Sequence, residues 1–447
     1  MPRIYIETYG CQMNVADSEL VLGVLEREGY VAVDDPAAAD VVLVNTCAVR
    51  DHAEQKVLSR VGELKRCKRP GGVLGVVGCM AQRLGPRLLE RIPQVDLVVG
   101  PDGYRGLPEL IARARVGERA AAVEFKAWEH YEDVPPARAG GGGGGGGGGV
   151  ASSAFVTVQR GCDYRCTFCI VPMTRGPERS RKLADVVREV TDLARGGTTE
   201  VTLLGQTVNS YDDGTHDFAD LLRAVGGVSG IRRLRFTSPY PTDFDARVVA
   251  AMAETAAVCE HVHLPVQSGS SRVLRRMLRR YDRDRYLAVV AALRHAMPAI
   301  ALTTDIIVGF PGETEDDFRE TLSLVEAVGF DDAFTFRYSP REGTPATRLT
   351  DVVPDHVAGE RLERLVAAVR GIARRKNVAL VGSNHEVLVE GWAKRGDLLQ
   401  GRTRANKVAL FPGPDRWIGS YRLVRFTGTT GSTFAARAVG QELAVVG

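Results

Sequence analysis

The chain has 447 residues, 44% of them hydrophobic and 25% charged, with 58 Lys plus Arg against 55 Asp plus Glu. That length supports two to four domains of about 150 residues, each with a core of its own. No run reaches the roughly 18 apolar residues of a membrane span, and "MPRIYIETYG" opens as a strand rather than a signal peptide, so a soluble cytoplasmic protein is expected, its eight cysteines serving as ligands, catalysts or core residues.

From residue 3 to 115, β-rich runs ("RIYIETYG", "VVLVNTCAV", "GVLGVVG", "VDLVVG") alternate with amphipathic stretches ("DSELVLGVLEREG", "AEQKVLSRVGELKRC", "YRGLPELIARAR"). This pattern predicts a doubly wound parallel sheet, which binds ligands at the carboxyl ends of its strands. Cys11 follows the first run, Cys47 ends the second and Cys79 ends the third, so the three should converge. Cys67, at the far end of a helix, should not join them. By position alone, burial in a core is an equally good reading of any one of them. Ten glycines, Gly140 to Gly149, then form a tether spanning roughly 17 Å as a flexible coil.

Six further β-rich runs follow: "AFVTVQRG", "EVTLLGQ", "RRLRFTS", "CEHVHLPV", "ALTTDIIVGF" and "DAFTFRYS". Helical stretches separate them, which predicts an open barrel of six parallel strands with functional groups at the strand ends. Those ends carry the cysteine-rich segment "RGCDYRCTFCIVP", then Gln206, Ser238, Gln267 and Gly309. Beyond "LERLVAAVRGIARRK", four short β-rich runs separated by glycine-containing turns predict a small antiparallel β-barrel. From residue 378 onward nine Lys and Arg stand against five Asp and Glu, so the basic excess lies at this end. Basic residues interleaved with strands suit an oligonucleotide surface, and Arg402, Arg404 and Lys407 are its candidates. Trp392 and Trp417 could stack on bases or simply pack.

Cys162, Cys166 and Cys169 are spaced CxxxCxxC with no second pair nearby. A closed zinc site asks for a fourth side-chain ligand, whereas an iron-sulfur cluster can leave one iron to an exogenous ligand. The residues alone leave zinc and plain packing as the alternatives. Arg175, Arg179 and Arg181, just beyond, suit phosphate or carboxylate recognition and, equally, structural ion pairs. Cys259 reads as a core residue, and His261 and His263 alternate on one strand without a metal pattern.

The triplet directly after a first barrel strand resembles the radical S-adenosylmethionine (SAM) enzymes, as do "LLGQ" and "DIIVGFPGE". "TYGCQMNVADSE", "NTCAVRDHAEQK" and "GCMAQR" resemble the N-terminal domain of the methylthiotransferases, and the likeness covers nearly the whole chain. It implies a [4Fe-4S] cluster on Cys162, Cys166 and Cys169 that binds SAM and cleaves it to a 5′-deoxyadenosyl radical. An auxiliary [4Fe-4S] cluster is implied on Cys11, Cys47 and Cys79. SAM contacts are implied in the runs that hold Gln206 and Gly309, and the strand-end positions add Ser238 and Gln267 as candidates. The implied domains are an N-terminal methylthiotransferase domain over residues 1–118, a linker over 119–150, the radical SAM barrel over 151–377 and a TRAM RNA-binding domain over 378–447.

"GCQMN", "TRGPERSR", "VNSY" and "RTRANKVALF" are most similar to the branch that converts N6-isopentenyladenosine, next to the anticodon of tRNA, to its 2-methylthio form. That implies such a tRNA as substrate, an electron donor such as flavodoxin and a sulfur-resupply protein. Met173, Pro177 and Thr207 depart from the branch pattern. Action on threonylcarbamoyladenosine or a ribosomal-protein aspartate, or a noncatalytic iron-sulfur RNA-binding module, are the alternatives.

Overall fold

The structure, a computed structural model, describes residues 1–48, 51–138, 152–394 and 396–440, with only the backbone of 51–56. The glycine tract lies outside the described residues. The first domain is a six-stranded parallel sheet in the spatial order Val31–Ala32, Arg3–Tyr9, Val41–Thr46, Val73–Gly78, Leu97–Val99, Ala120–Ala122. The two central strands, Val41–Thr46 and Val73–Gly78, are buried at every position, and apolar layers cover both faces of the sheet. The order reverses beside the first strand, which creates the crevice where such folds place their ligands. The sixth strand falls inside the segment expected to be linker, and Tyr131 and Val134 join the same core. Three alanines carry too little side chain to announce a strand, so the domain runs further than its sequence suggests.

The central domain has all six expected strands, in two parallel triplets. Ser153–Thr157, Glu200–Leu204 and Arg233–Phe236 form one; His261–His263, Ala301–Val308 and Asp332–Arg337 form the other. A bridge between Leu234 and Val258 joins them into an open barrel. Along Ala301–Val308, Leu302, Thr304, Ile306 and Val308 are buried while Thr303, Asp305 and Ile307 are partly open. The period-two alternation separates a face packed under helices from one facing the lumen. The packed face includes Val156, Val201, Leu203 and Leu234, all fully buried, each contributing roughly 1.5–3 kcal/mol. The free edge of Ser153–Thr157 is capped: Arg138 donates to the Phe155 carbonyl at 3.1 Å and Arg181 to the Thr157 carbonyl at 2.9 Å, both held by Glu189.

A 25-residue helix, Asp355–Ala379, leads to the last domain, a closed five-stranded barrel. Four strands were expected here. The run "GRTRANKVALF" turns at Asn406, whose φ is +63°, and splits into Leu399–Thr403 and Val408–Phe411. One strand pair in this barrel is parallel and the others are antiparallel. The domain sits against the amino ends of the central strands. Lumen-facing Arg235 donates to the Thr403 and Arg404 carbonyls at 2.8 and 2.9 Å, and Arg233 reaches Glu386 at 2.9 Å.

Candidate active site where two cysteine triads meet

Strand register assembles the first triad. Tyr9 pairs with Thr46 and Thr46 with Gly78, so the chain leaves three adjacent strands at one level and delivers Cys11, Cys47 and Cys79 together. Gly10 makes the exit possible. Its φ is +155°, and a Cβ there would lie 2.2 Å from Asn14 Oδ1 and 2.9 Å from Cys47 Cβ. Cys11 caps the helix Gln12–Arg27, and its thiol is pulled down to about 6 by a hydrogen bond with Cys47, the Arg175 charge and the helix's first N–H groups, against the opposing effect of burial. Cys79 is fully buried, which pushes its thiol up.

The second triad sits on the loop after Gln159–Arg160. Gly161 takes a φ of +78°, and a Cβ would fall 1.8 Å from the Pro177 carbonyl, so only glycine lets the loop pass. Cys162 Sγ lies 3.2 Å from Thr207 Oγ1, and Cys166 Sγ accepts from Arg279 Nη1 at 3.2 Å. Burial pushes the Cys169 thiol up to about 12 and also raises Cys162. Such thiols become ligands by giving up their protons to a metal centre. Tyr164 stacks on Tyr240 at 3.7 Å, with Arg280 over Tyr164 and Arg279 over Tyr240.

The two triads meet through one short helix, Val171–Arg175, directly after the second. Its Arg175 donates Nε to Cys79 Sγ at 3.0 Å and pairs through Nη1 with Asp17 at 2.7 Å. Asp17, fully buried on the first helix, also pairs with Arg160 at 3.1 Å and accepts from Tyr104 Oη at 3.3 Å. Met13 and Ala16 of that helix pack on Phe155 and Leu204 of the barrel. Sequence reading missed Asp17 and Arg279. Asp17's signal was a carboxylate on the apolar side of a helix; Arg279, in "MLRRY", gave none.

Among the described residues no three His, Cys, Asp or Glu side chains close in tightly enough to grip a single ion. Each set offers three thiols and no fourth side-chain ligand, which suits an iron-sulfur cluster that leaves one iron to another ligand better than a closed zinc site.

Of the expected SAM contacts, Gln206 accepts from the Gly161 N–H at 2.5 Å, bracing the cysteine loop. Ser238 and Gln267 hold left-handed backbones just past their strands, with φ of +58° and +70°. Gly309 gives its N–H to Glu313 and turns its Cα toward Ala358. In the lumen, His263 lies 3.0 Å from Thr303 Oγ1 and 3.3 Å from Asp305, edge-on to exposed Phe334. His261 is held neutral by burial, its titration pulled down to about 3. Arg179 pairs with buried Asp102 and Arg181 with Glu189, so neither is free to meet a substrate.

The residues expected to bind RNA make ion pairs within the protein. Arg404 pairs with Glu260 at 2.8 Å and donates to the Val258 carbonyl, while Lys407 pairs with buried Asp331 at 2.9 Å. Both pin the terminal domain to the central barrel. Arg402 is held by Glu390 within its own domain. Charge is visible in a sequence; which charges an internal partner consumes is not.

An open six-stranded barrel with a CxxxCxxC loop after its first strand defines a radical SAM protein. The radical SAM superfamily matches residues 156–325, and an uncharacterized protein family, UPF0004, matches residues 3–100. The chain is 46% identical to the tRNA-2-methylthio-N(6)-dimethylallyladenosine synthase of Porphyromonas gingivalis over 98% of its own length and 95% of that protein's. It is 46% identical to the synthase of the same name from Geobacter metallireducens, over 95% of both chains. It belongs to this family. In fold it is similar to the radical SAM methyltransferase TsrM from Kitasatospora setae, with a TM-score of 0.57 and 17% identity over 75% of this chain and 73% of that one. The cobalamin-dependent radical enzyme OxsB gives a TM-score of 0.53 and 14% identity over 83% of this chain and 58% of that one.

Proposed function

We propose that this chain is a tRNA methylthiotransferase that converts N6-dimethylallyladenosine to its 2-methylthio form. The observation that carries this reading is the meeting of the two cysteine triads across one domain interface. Cys162, Cys166 and Cys169 would hold the SAM-binding [4Fe-4S] cluster, and Cys11, Cys47 and Cys79 the auxiliary one. When bound, these groups supply an electron for reductive cleavage of SAM and sulfur for insertion.

The protein's own part is positioning and exclusion of water. Gly161 and Gln206 fix the cysteine loop, while Ser238, Gln267 and Gly309 shape the strand ends where SAM would lie. His263, Asp305 and Phe334 offer the lumen a donor, an acceptor and an aromatic face, a set suited to a modified adenine. For the RNA backbone, the candidates become Arg374, Arg425 and Arg437. All three are exposed and without an ion pair among the described residues, and Arg425 stands directly across from Arg437 on neighbouring strands. Like charges set face to face favour a polyanion between them. Trp392, 46% exposed, is the base-stacking candidate.

The domain division that fits these contacts is 1–138, 152–377 and 378–440, with the last as the RNA-binding unit. An electron donor such as flavodoxin, a sulfur-resupply protein and a cytoplasmic location complete the reading; no helix among the described residues is long and apolar enough to cross a membrane. The test is anaerobic reconstitution followed by incubation with SAM, reductant and dimethylallylated tRNA, with nucleosides analysed by mass spectrometry. A methylthio nucleoside is expected. SAM cleavage without it, on correct substrate with both clusters intact, overturns the sulfur-insertion assignment.

A further inference from the structure

Each triad has one arginine on one of its sulfurs, Arg175 buried and Arg279 partly exposed. Arg175 meets Cys79 at 3.0 Å and Arg279 meets Cys166 at 3.2 Å. They differ in what else holds them. Arg175 shares its charge with Asp17 at 2.7 Å, a carboxylate fully buried among Arg160, Arg175 and Tyr104. Arg279 has no ion pair among the described residues. Its Nε donates to Tyr281 Oη at 2.9 Å, its Nη2 reaches the Pro265 carbonyl at 3.5 Å, and its guanidinium lies over the rings of Tyr240 and Tyr281 at 4.2 and 5.0 Å. The nearby carboxylate Asp243 is engaged by Tyr164 Oη at 2.7 Å. An aromatic cage holds a cation in place without cancelling its charge.

We propose that Arg279 and Arg175 are redox-tuning residues, each raising the reduction potential of the iron-sulfur centre on its own triad, and that Arg279 does so more strongly. This rests on the reading that each triad holds a [4Fe-4S] cluster. Reduction adds a negative charge to a group already bound by thiolates, and a fixed cation hydrogen-bonded to one sulfur favours the reduced form. Burial leaves that preference little screened at Arg175; at the partly exposed Arg279 it is the lack of a carboxylate partner that keeps the charge whole. Where a carboxylate shares the guanidinium, as Asp17 does, part of the preference is cancelled. The arrangement therefore favours delivery of an incoming electron to the tight triplet over the neighbouring sulfur-donating centre.

The experiment uses the full chain, reconstituted anaerobically and titrated with dithionite under electron paramagnetic resonance. Each centre is isolated in a background in which the other triad is changed to alanine. Arg279→Met is expected to lower the reduction equilibrium constant of the tight-triplet centre at least tenfold, about 59 mV for one electron, and to leave the other centre unmoved. Arg175→Met should lower the other centre's constant by only about threefold. Arg279→Lys should recover most of the loss. Arg279→Gln, which keeps a donor and drops the charge, should behave as Met does, and it decides the matter where the Met variant fails to hold iron. Unshifted potentials at full iron content, or Gln indistinguishable from wild type, overturn the tuning role alone. Wild-type protein that shows only one cluster signal overturns the two-centre reading and the tuning role with it.

Discussion

The two cysteine triads reach similar chemistry by opposite routes. Cys162, Cys166 and Cys169 lie on one loop, and their grouping is local. Cys11, Cys47 and Cys79 come from three strand ends and exist as a group only because Tyr9, Thr46 and Gly78 share a register. A loop site depends on a few backbone torsions, whereas a strand-end site depends on the whole sheet folding in the correct alignment. The first should tolerate distant damage; the second should fail whenever its domain or its docking to the barrel is disturbed.

The largest effect should separate the triads outright. Cys166→Ala is expected to remove about half of the bound iron and abolish SAM cleavage, while Cys47→Ala removes about half and spares SAM cleavage. Iron assay and 5′-deoxyadenosine release check this, and identical losses in the two variants would erase the distinction. Next comes Asp17→Ala, which leaves Arg160 and Arg175 buried without their carboxylate. It should cost about 3–5 kcal/mol in urea unfolding and strip iron from the strand-end triad first. A cost under about 1 kcal/mol would show that the interface does not rest on this hub.

Smaller still is Gly161→Ala. Its left-handed backbone alone costs about 1–3 kcal/mol, and the Pro177 carbonyl must also move. The same change at Gly10 should disturb only the strand-end triad, which iron retention in the separated backgrounds would report. The smallest effect is on pH dependence. Burial raises Glu19, on the first helix, to about 7, and Glu178, behind the cysteine loop, also to about 7. A carboxyl whose folded value lies above its unfolded value near 4.5 contributes stability below that pH and loses it as the pH rises toward 7. Thermal melts between pH 5 and 7.5 should therefore fall with rising pH, and Glu19→Gln combined with Glu178→Gln should flatten that slope.

What could be read from the sequence follows the same division. The tight triplet showed in its spacing, whereas the alternation of strand and helix placed the other three cysteines at equivalent points but left core burial an equal reading until the surrounding motifs were compared with a family. Arg279 was beyond reach and Asp17 showed only as a carboxylate on an apolar helix face, because their roles arise from partners more than a hundred residues away, Cys166 and Arg160 respectively. Arg404 and Lys407 show the reverse case. Their charge was read as an RNA surface, but Glu260 and Asp331, on the central barrel, had already claimed it. The strand Ala120–Ala122 escaped because pairing with Leu97–Val99, rather than side-chain pattern, defines it.

The seating of the terminal domain has one more consequence. Through Arg235, Arg404 and Lys407 it rests on the amino ends of the central strands, so the domain that would grip RNA would also act as a stopper against solvent. Cutting the chain after the connecting helix would therefore do more than weaken RNA binding. It would uncork the reaction chamber from below and let water and stray hydrogen donors reach chemistry that depends on their exclusion.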